Sequence, residues 1–138
     1  TSPSNINIPK DTIPSRCFVN SFDLGTAVAI YLDGTQTYKN QVVENHGSME
    51  DWCVDQIQDF SFLFSLTEFN EDISKWNTSS GTNFDEMFHL ATSFDGNLSA
   101  WDVSSGTDFQ RMFDSASVFN GILSAWDVSS GTSFRYMF

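Results

Sequence analysis

The sequence predicts an α/β repeat solenoid: short coils, each a strand plus a short helix or 3₁₀ segment, stacked behind an N-terminal helical cap. Three observations predict it. Trp52, Trp76, Trp101 and Trp126 recur at spacings of 24, 25 and 25 residues. Each Trp is followed eight residues later by Phe60, Phe84, Phe109 or Phe134, and four residues further on by Phe64, Phe88, Phe113 or Phe138. Between Trp and Phe the later units agree nearly letter for letter, Trp101-Asp102-Val103-Ser104-Ser105-Gly106-Thr107 returning as Trp126-Asp127-Val128-Ser129-Ser130-Gly131-Thr132. An aromatic content of 15%, with 14 phenylalanines, rules out a disordered chain. A unit of about 25 residues buries too little apolar surface to offset the entropy of ordering it, so neighbouring units must share one core.

Residues 1–15 contain all three prolines, Pro3, Pro9 and Pro14, and little apolar content, which predicts an extended arm. Residues 16–46 form the expected cap: Asp23 to Leu32 reads as an amphipathic helix stopped at Asp33-Gly34, and such a cover keeps the first coil's core from water. Residues 47–138 are the repeats. Within a unit, Leu98, Trp101 and Val103 fit L-x-x-L-x-L, the strand segment of a leucine-rich repeat, with Trp in place of the middle Leu. Strand alternation then turns Trp101 and Val103 inward. It turns outward three columns, Lys75/Ala100/Ala125, Asn77/Asp102/Asp127 and Ser79/Ser104/Ser129, of which the first two make a candidate binding face. Ser-Ser-Gly-Thr predicts a turn whose Gly is free to take positive φ. Phe109, Met112, Phe113 and Ala116, at i, i+3, i+4 and i+7, predict one face of a short helix or 3₁₀ segment. Asn70, Asp95 and Asn120 follow the core Phe of each unit and are expected to cap backbone groups. The repeats stop mid-unit at Met137-Phe138 and the chain starts at Thr1. The expectation is a mature or trimmed form of a longer protein, or a second chain over the C-terminal end.

Composition excludes several function classes. With 6 Lys+Arg against 18 Asp+Glu the net charge is −12, which opposes binding to nucleic acid and to anionic membrane surfaces. No run of apolar residues is long enough to span a bilayer, so membrane insertion is not expected. Cys17 and Cys53 are too few for a zinc framework and too widely spaced for a C-x-x-C redox pair. A single disulfide pinning the cap to the first coil is the simplest reading; two free buried thiols are the alternative. Only His46 and His89 could serve a hydrolase, and they occupy non-equivalent positions in the units. Glu71-Asp72 and Asp85-Glu86 are adjacent carboxylates, which do not face one another as a catalytic pair must. Calcium would need a D-x-D-x-D-G loop or a G-G-x-G-x-D repeat, and the units offer at most one aligned carboxylate each, Asp102 and Asp127. Neither a metal site, a cofactor nor catalysis is expected.

The unit, carried most clearly by Trp101-Asp102-Val103-Ser104, Met112-Phe113, Ala116 and Phe119-Asn120, resembles the repeat of the BspA-like family of leucine-rich-repeat surface proteins over about residues 47 to 138. The chain departs from that family in Ser-Gly-Thr-x-Phe, where the family commonly has Asn-Val-Thr-x-Met; this variant resembles versions expanded in diatoms and related algae. The resemblance implies an extracellular, often multi-copy surface module associated with adhesion or ligand binding. Asn77-Thr78-Ser79 and Asn97-Leu98-Ser99 are N-glycosylation sequons, and beside a disulfide they favour the secretory pathway. The leading expectation is therefore a secreted or cell-surface, non-enzymatic module that binds protein or polysaccharide through the face of Lys75, Asn77, Ala100, Asp102, Ala125 and Asp127. The rival is a structural subunit packed among neighbouring subunits of a larger extracytosolic assembly or fibre.

Overall fold

The computed structural model describes residues 16–138; the arm expected over 1–15 lies outside them. Helix α1 (Ser21–Asp33) begins at Asn20, whose Oδ1 accepts the Asp23 N–H at 2.7 Å while its Nδ2 donates to Asp23 Oδ2 at 3.0 Å. Its buried face is Leu24, Ala27 and Val28. It ends where the Gly34 N–H bonds the Ile30 carbonyl at 2.8 Å. Helix α2 (Gln36–His46) follows after a two-residue link and buries Val42 alone, so hydrophobic spacing gave no sign of it. A 3₁₀ turn, Met49–Asp51, then leads into Trp52. The Cys17–Cys53 disulfide ties the entry of α1 to the first coil, closing a separation of 36 residues worth about 4 kcal/mol on the chain-entropy account.

Beyond the cap the units do stack, but not as an α/β repeat solenoid. Among the described residues there is no sheet and no further helix; the only strand-type pairings between coils are the single-residue parallel bridges Asp59–Asn83, Asn83–Asp108 and Asp108–Ser133. Neither the strand expected over Leu98–Val103 nor the helix expected over Phe109–Ala116 forms. Each coil is instead a polygon of i→i+3 turns. In one coil the N–H groups of Trp101, Gly106, Met112, Asp114, Ala116 and Phe119 bond the carbonyls of Leu98, Val103, Phe109, Arg111, Phe113 and Ala116 at 2.8–3.2 Å.

Two physical reasons displace the expected elements. A helix uses each N–H at i−4, whereas here alternate N–H groups leave the coil: Phe84, Glu86, Phe88 and Leu90 donate to Asp108, Gln110, Met112 and Asp114 of the next coil at 2.8–2.9 Å. N–H groups between them close turns, and the third residue of alternate turns takes positive φ, as at Glu86 (53°), Leu90 (56°), Arg111 (51°) and Ser115 (60°). A strand, in turn, needs a continuous ladder, and the turns within each coil limit it to single bridges. The rings stack from coil to coil: Phe60, Phe84, Phe109 and Phe134 lie 5.3–5.5 Å apart. Phe64, Phe88, Phe113 and Phe138 stack at 5.5–5.6 Å. Phe69, Phe94 and Phe119 form a third column.

At the Trp position side chains bridge the coils where backbone does not. The Nε1–H groups of Trp76, Trp101 and Trp126 reach back to the carbonyls of Met49, Ile73 and Leu98 at 2.8–2.9 Å. Thr78, the single buried polar residue among those described, donates its hydroxyl forward to the Asp102 carbonyl at 3.0 Å. The repeat glycines also act otherwise than expected, since among the described glycines only Gly47 has positive φ. A Cβ on Gly81 would lie 2.5 Å from Phe84 Cζ, and Gly106 and Gly131 are closer still to Phe109 and Phe134. Glycine is there so that the ring three residues on can lie against the backbone.

Candidate functional site

Lys75, Asn77, Ala100, Asp102, Ala125 and Asp127, the expected face, are all exposed, and no strand carries them. Trp101 and Val103 on either side of Asp102 are buried, and this alternation comes from an extended three-residue link between two turns. The polar residues of the face also fold the backbone locally. Asn77, Asp102 and Asp127 each accept, through Oδ1, the N–H of the Ser two residues on, at 3.0–3.1 Å. Hydrogen bonds from Ser104 and Ser129 hold the Asp102 and Asp127 carboxyls below their ordinary pKa, and a bond from Ser74 does the same for Asp72. The face therefore keeps fixed negative charge at neutral pH, and it includes one cation, Lys75, whose Nζ lies 3.9 Å from Asp51 Oδ1 between exposed side chains.

The sequon residues Asn77 and Asn97 are exposed. Asn97 Oδ1 accepts both the Ser99 N–H at 3.0 Å and the Ser99 hydroxyl at 2.7 Å. Asn77 is one of the residues of the candidate face, so a glycan there would cover part of it. Asn70 and Asp95 do accept backbone N–H groups, from Asp95 at 3.1 Å and Asn120 at 3.0 Å, one coil to the next.

The two histidines have structural surroundings. His46 stacks on Phe18 at 3.9 Å, with Nδ1 2.7 Å from the Arg16 carbonyl. His89 Nδ1 lies 3.2 Å from the Asp114 carbonyl and 3.7 Å from its carboxylate. Among the described residues no three His, Cys, Asp or Glu side chains are placed to hold a metal ion. Asp85, read from the sequence only as one of two adjacent carboxylates with Glu86, has its Oδ1 buried with no hydrogen-bond partner among the described residues. Burial first, then the neighbouring Asp108 and Glu86 carboxylates, push its pKa up against the opposing Arg111; Asp59 adds to the rise. Its signal was only that the outward position is Ser61 and Gln110 in the flanking coils.

This geometry defines a class: a repeat protein of turn-built coils on an aromatic spine, capped by a disulfide-pinned helix pair. Residues 34–138 match the family described as "Mycoplasma protein of unknown function, DUF285", and the chain belongs to that family. No curated protein and no solved structure matches the chain. The disulfide is compatible with an extracytosolic protein, and no described helix is long and apolar enough to cross a membrane.

Proposed function

We propose that the chain is a non-enzymatic, extracytosolic binding or adhesion module that holds a protein or polysaccharide on the face of Lys75, Asn77, Ala100, Asp102, Ala125 and Asp127. The observation that carries this reading is the register: like side chains repeat, exposed, on a backbone fixed by ring stacks and turn hydrogen bonds, and flat repeated surfaces suit extended ligands. The resemblance of the repeats to BspA-like surface proteins supports the placement outside the cytosol, as do the disulfide and the two sequons. The negative field of the face favours a basic or cation-bridged partner. The test is retention on immobilised glycan and protein arrays, comparing wild type with the double variant Asp102→Lys/Asp127→Lys. Both side chains are exposed but each Oδ1 holds a Ser N–H, so the variant is expected to stay folded and melt somewhat below wild type while its array signal falls at least about tenfold, roughly 1.4 kcal/mol. Undiminished binding by a folded double variant refutes the face.

A further inference from the structure

Thr82, Asn83 and their equivalents donate backward to the preceding coil, but along the segment from Phe60 to Leu66 and its equivalents the inter-coil backbone hydrogen bonds run one way, forward. Phe60, Phe62, Phe64 and Leu66 donate N–H groups forward to the carbonyls of Asn83, Asp85, Met87 and His89 at 2.8–2.9 Å, and the next coil repeats the pattern. Each such coil thus aims a row of carbonyls backward. Carried to the first coil, the register turns the carbonyls of Asp59, Ser61, Leu63 and Ser65 toward α1. None of the four accepts a hydrogen bond among the described residues. Helix α1 does not satisfy them: its interior N–H groups bond within the helix, and none from its first turn reaches any of the four carbonyls.

What lies between is a cleft of about 430 Å³ that includes Ser21, Phe22, Gly25, Asp59, Ser61 and Phe62 in its walls. Gly25 leaves it open, since no heavy atom comes within 4 Å of where a Cβ would stand. Phe22 and Phe62 flank it with rings 80% and 54% exposed, far more than the buried aromatics of the coils. Asp59 uses Oδ1 on the Ser61 N–H and adds its negative charge. A site with parallel backbone acceptors, a carboxylate and two aromatic rings calls for a flat cation with several donors. A guanidinium supplies five N–H donors, stacks on rings and is less hydrated than an ammonium ion. The chain's net charge of −12 steers such a group inward.

We propose that the cleft between α1 and the first coil docks an arginine side chain of a basic protein partner. This site goes beyond the Asp102 face and does not depend on it. The test titrates the isotopically labelled full chain with an end-blocked hexa-arginine peptide and, separately, hexa-lysine, at physiological ionic strength, reading carbonyl chemical shifts. Saturable shifts at Asp59, Ser61 and Leu63, with hexa-arginine bound more tightly than hexa-lysine, are expected. Gly25→Trp, which fills the open space, should weaken hexa-arginine binding at least about tenfold, and Phe22→Ala, which removes an exposed ring, about three- to fivefold. Asp102→Lys/Asp127→Lys should leave the shifts at these three carbonyls in place, which separates this site from the proposed face. Shifts spread evenly over the acidic surface, equal affinity for the two peptides, or unchanged binding by both folded cleft variants overturns the proposal.

Discussion

Replacing Trp101 by Phe removes one inter-coil bridge and keeps an aromatic ring in its column. Trp101 is 3% exposed, donates Nε1–H to the Ile73 carbonyl at 2.9 Å, and has its ring centroid 6.2 Å from that of Phe88. The lost hydrogen bond is worth about 0.5–1.5 kcal/mol net. The smaller ring leaves a void that adds about 1–2 kcal/mol. The Ile73 carbonyl still accepts the Trp76 N–H at 3.1 Å, so no orphaned acceptor enlarges the penalty. The sum is about 1.5–3.5 kcal/mol, read by urea unfolding at unchanged m-value and as a fall in Tm of roughly 5–12 °C. Trp126→Phe makes the control: it breaks the same kind of bond, to Leu98 at 2.9 Å, at a ring only half-buried, and should cost about 1 kcal/mol. A loss under about 0.5 kcal/mol at Trp101, or equal losses at the two sites, would refute the view that the tryptophans clamp coil to coil.

Other expectations follow from the same geometry. Gly25→Ala should raise unfolding free energy by about 1 kcal/mol, since the site is helical and unobstructed, whereas Gly106→Ala should lower it by about 1–3 kcal/mol because the new Cβ meets the Phe109 ring and lies 2.9 Å from the Val103 carbonyl; paired thermal melts check both signs. Asp85 holds its proton more tightly folded than unfolded, so its contribution favours the fold below the ordinary carboxylate range and is lost as pH rises through the raised value. Asp85→Asn should therefore be more stable than wild type at pH 7, with the advantage gone near roughly pH 3, in urea titrations across that range. Replacing both Cys17 and Cys53 by Ala should cost about 4 kcal/mol by denaturant titration and loosen α1 first, seen as faster amide exchange at Leu24 and Val28.

The period, the aromatic phase and the buried set were legible because each rests on side-chain chemistry. Phe109, Met112, Phe113 and Ala116 are all buried, as their spacing requires. The backbone was not legible, because that spacing fits a chain of turns as well as it fits a helix. What separates them is the positive φ of Arg111 and Ser115, residue types that carry no glycine signal. Likewise the inward–outward alternation about Trp101 and Val103 needs only a three-residue extended link, not a strand with a paired neighbour. The Asp and Ser of Asp102-Val103-Ser104 do spell a local side-chain-to-backbone turn. The six residues of the candidate face are exposed, as the alternation required, because exposure depends on which side chains point outward and not on a paired strand. The cleft beside α1 was invisible, because it follows from the direction in which N–H groups leave each coil.

Ser115 gives the most direct test of the claim that the coils are built from turns. It is exposed, sits at φ 60°, and its hydroxyl reaches only the Asp114 carboxylate at 3.1 Å. In a helix Ala exceeds Gly by about 0.5–1 kcal/mol, while at positive φ a Cβ costs about 1–2 kcal/mol that Gly avoids. The measurement is the unfolding free energy of Ser115→Gly against Ser115→Ala under identical conditions. The turn-built coil requires the Gly variant to be the more stable by about 1 kcal/mol; an Ala variant more stable by a similar margin would contradict it and restore a helical segment.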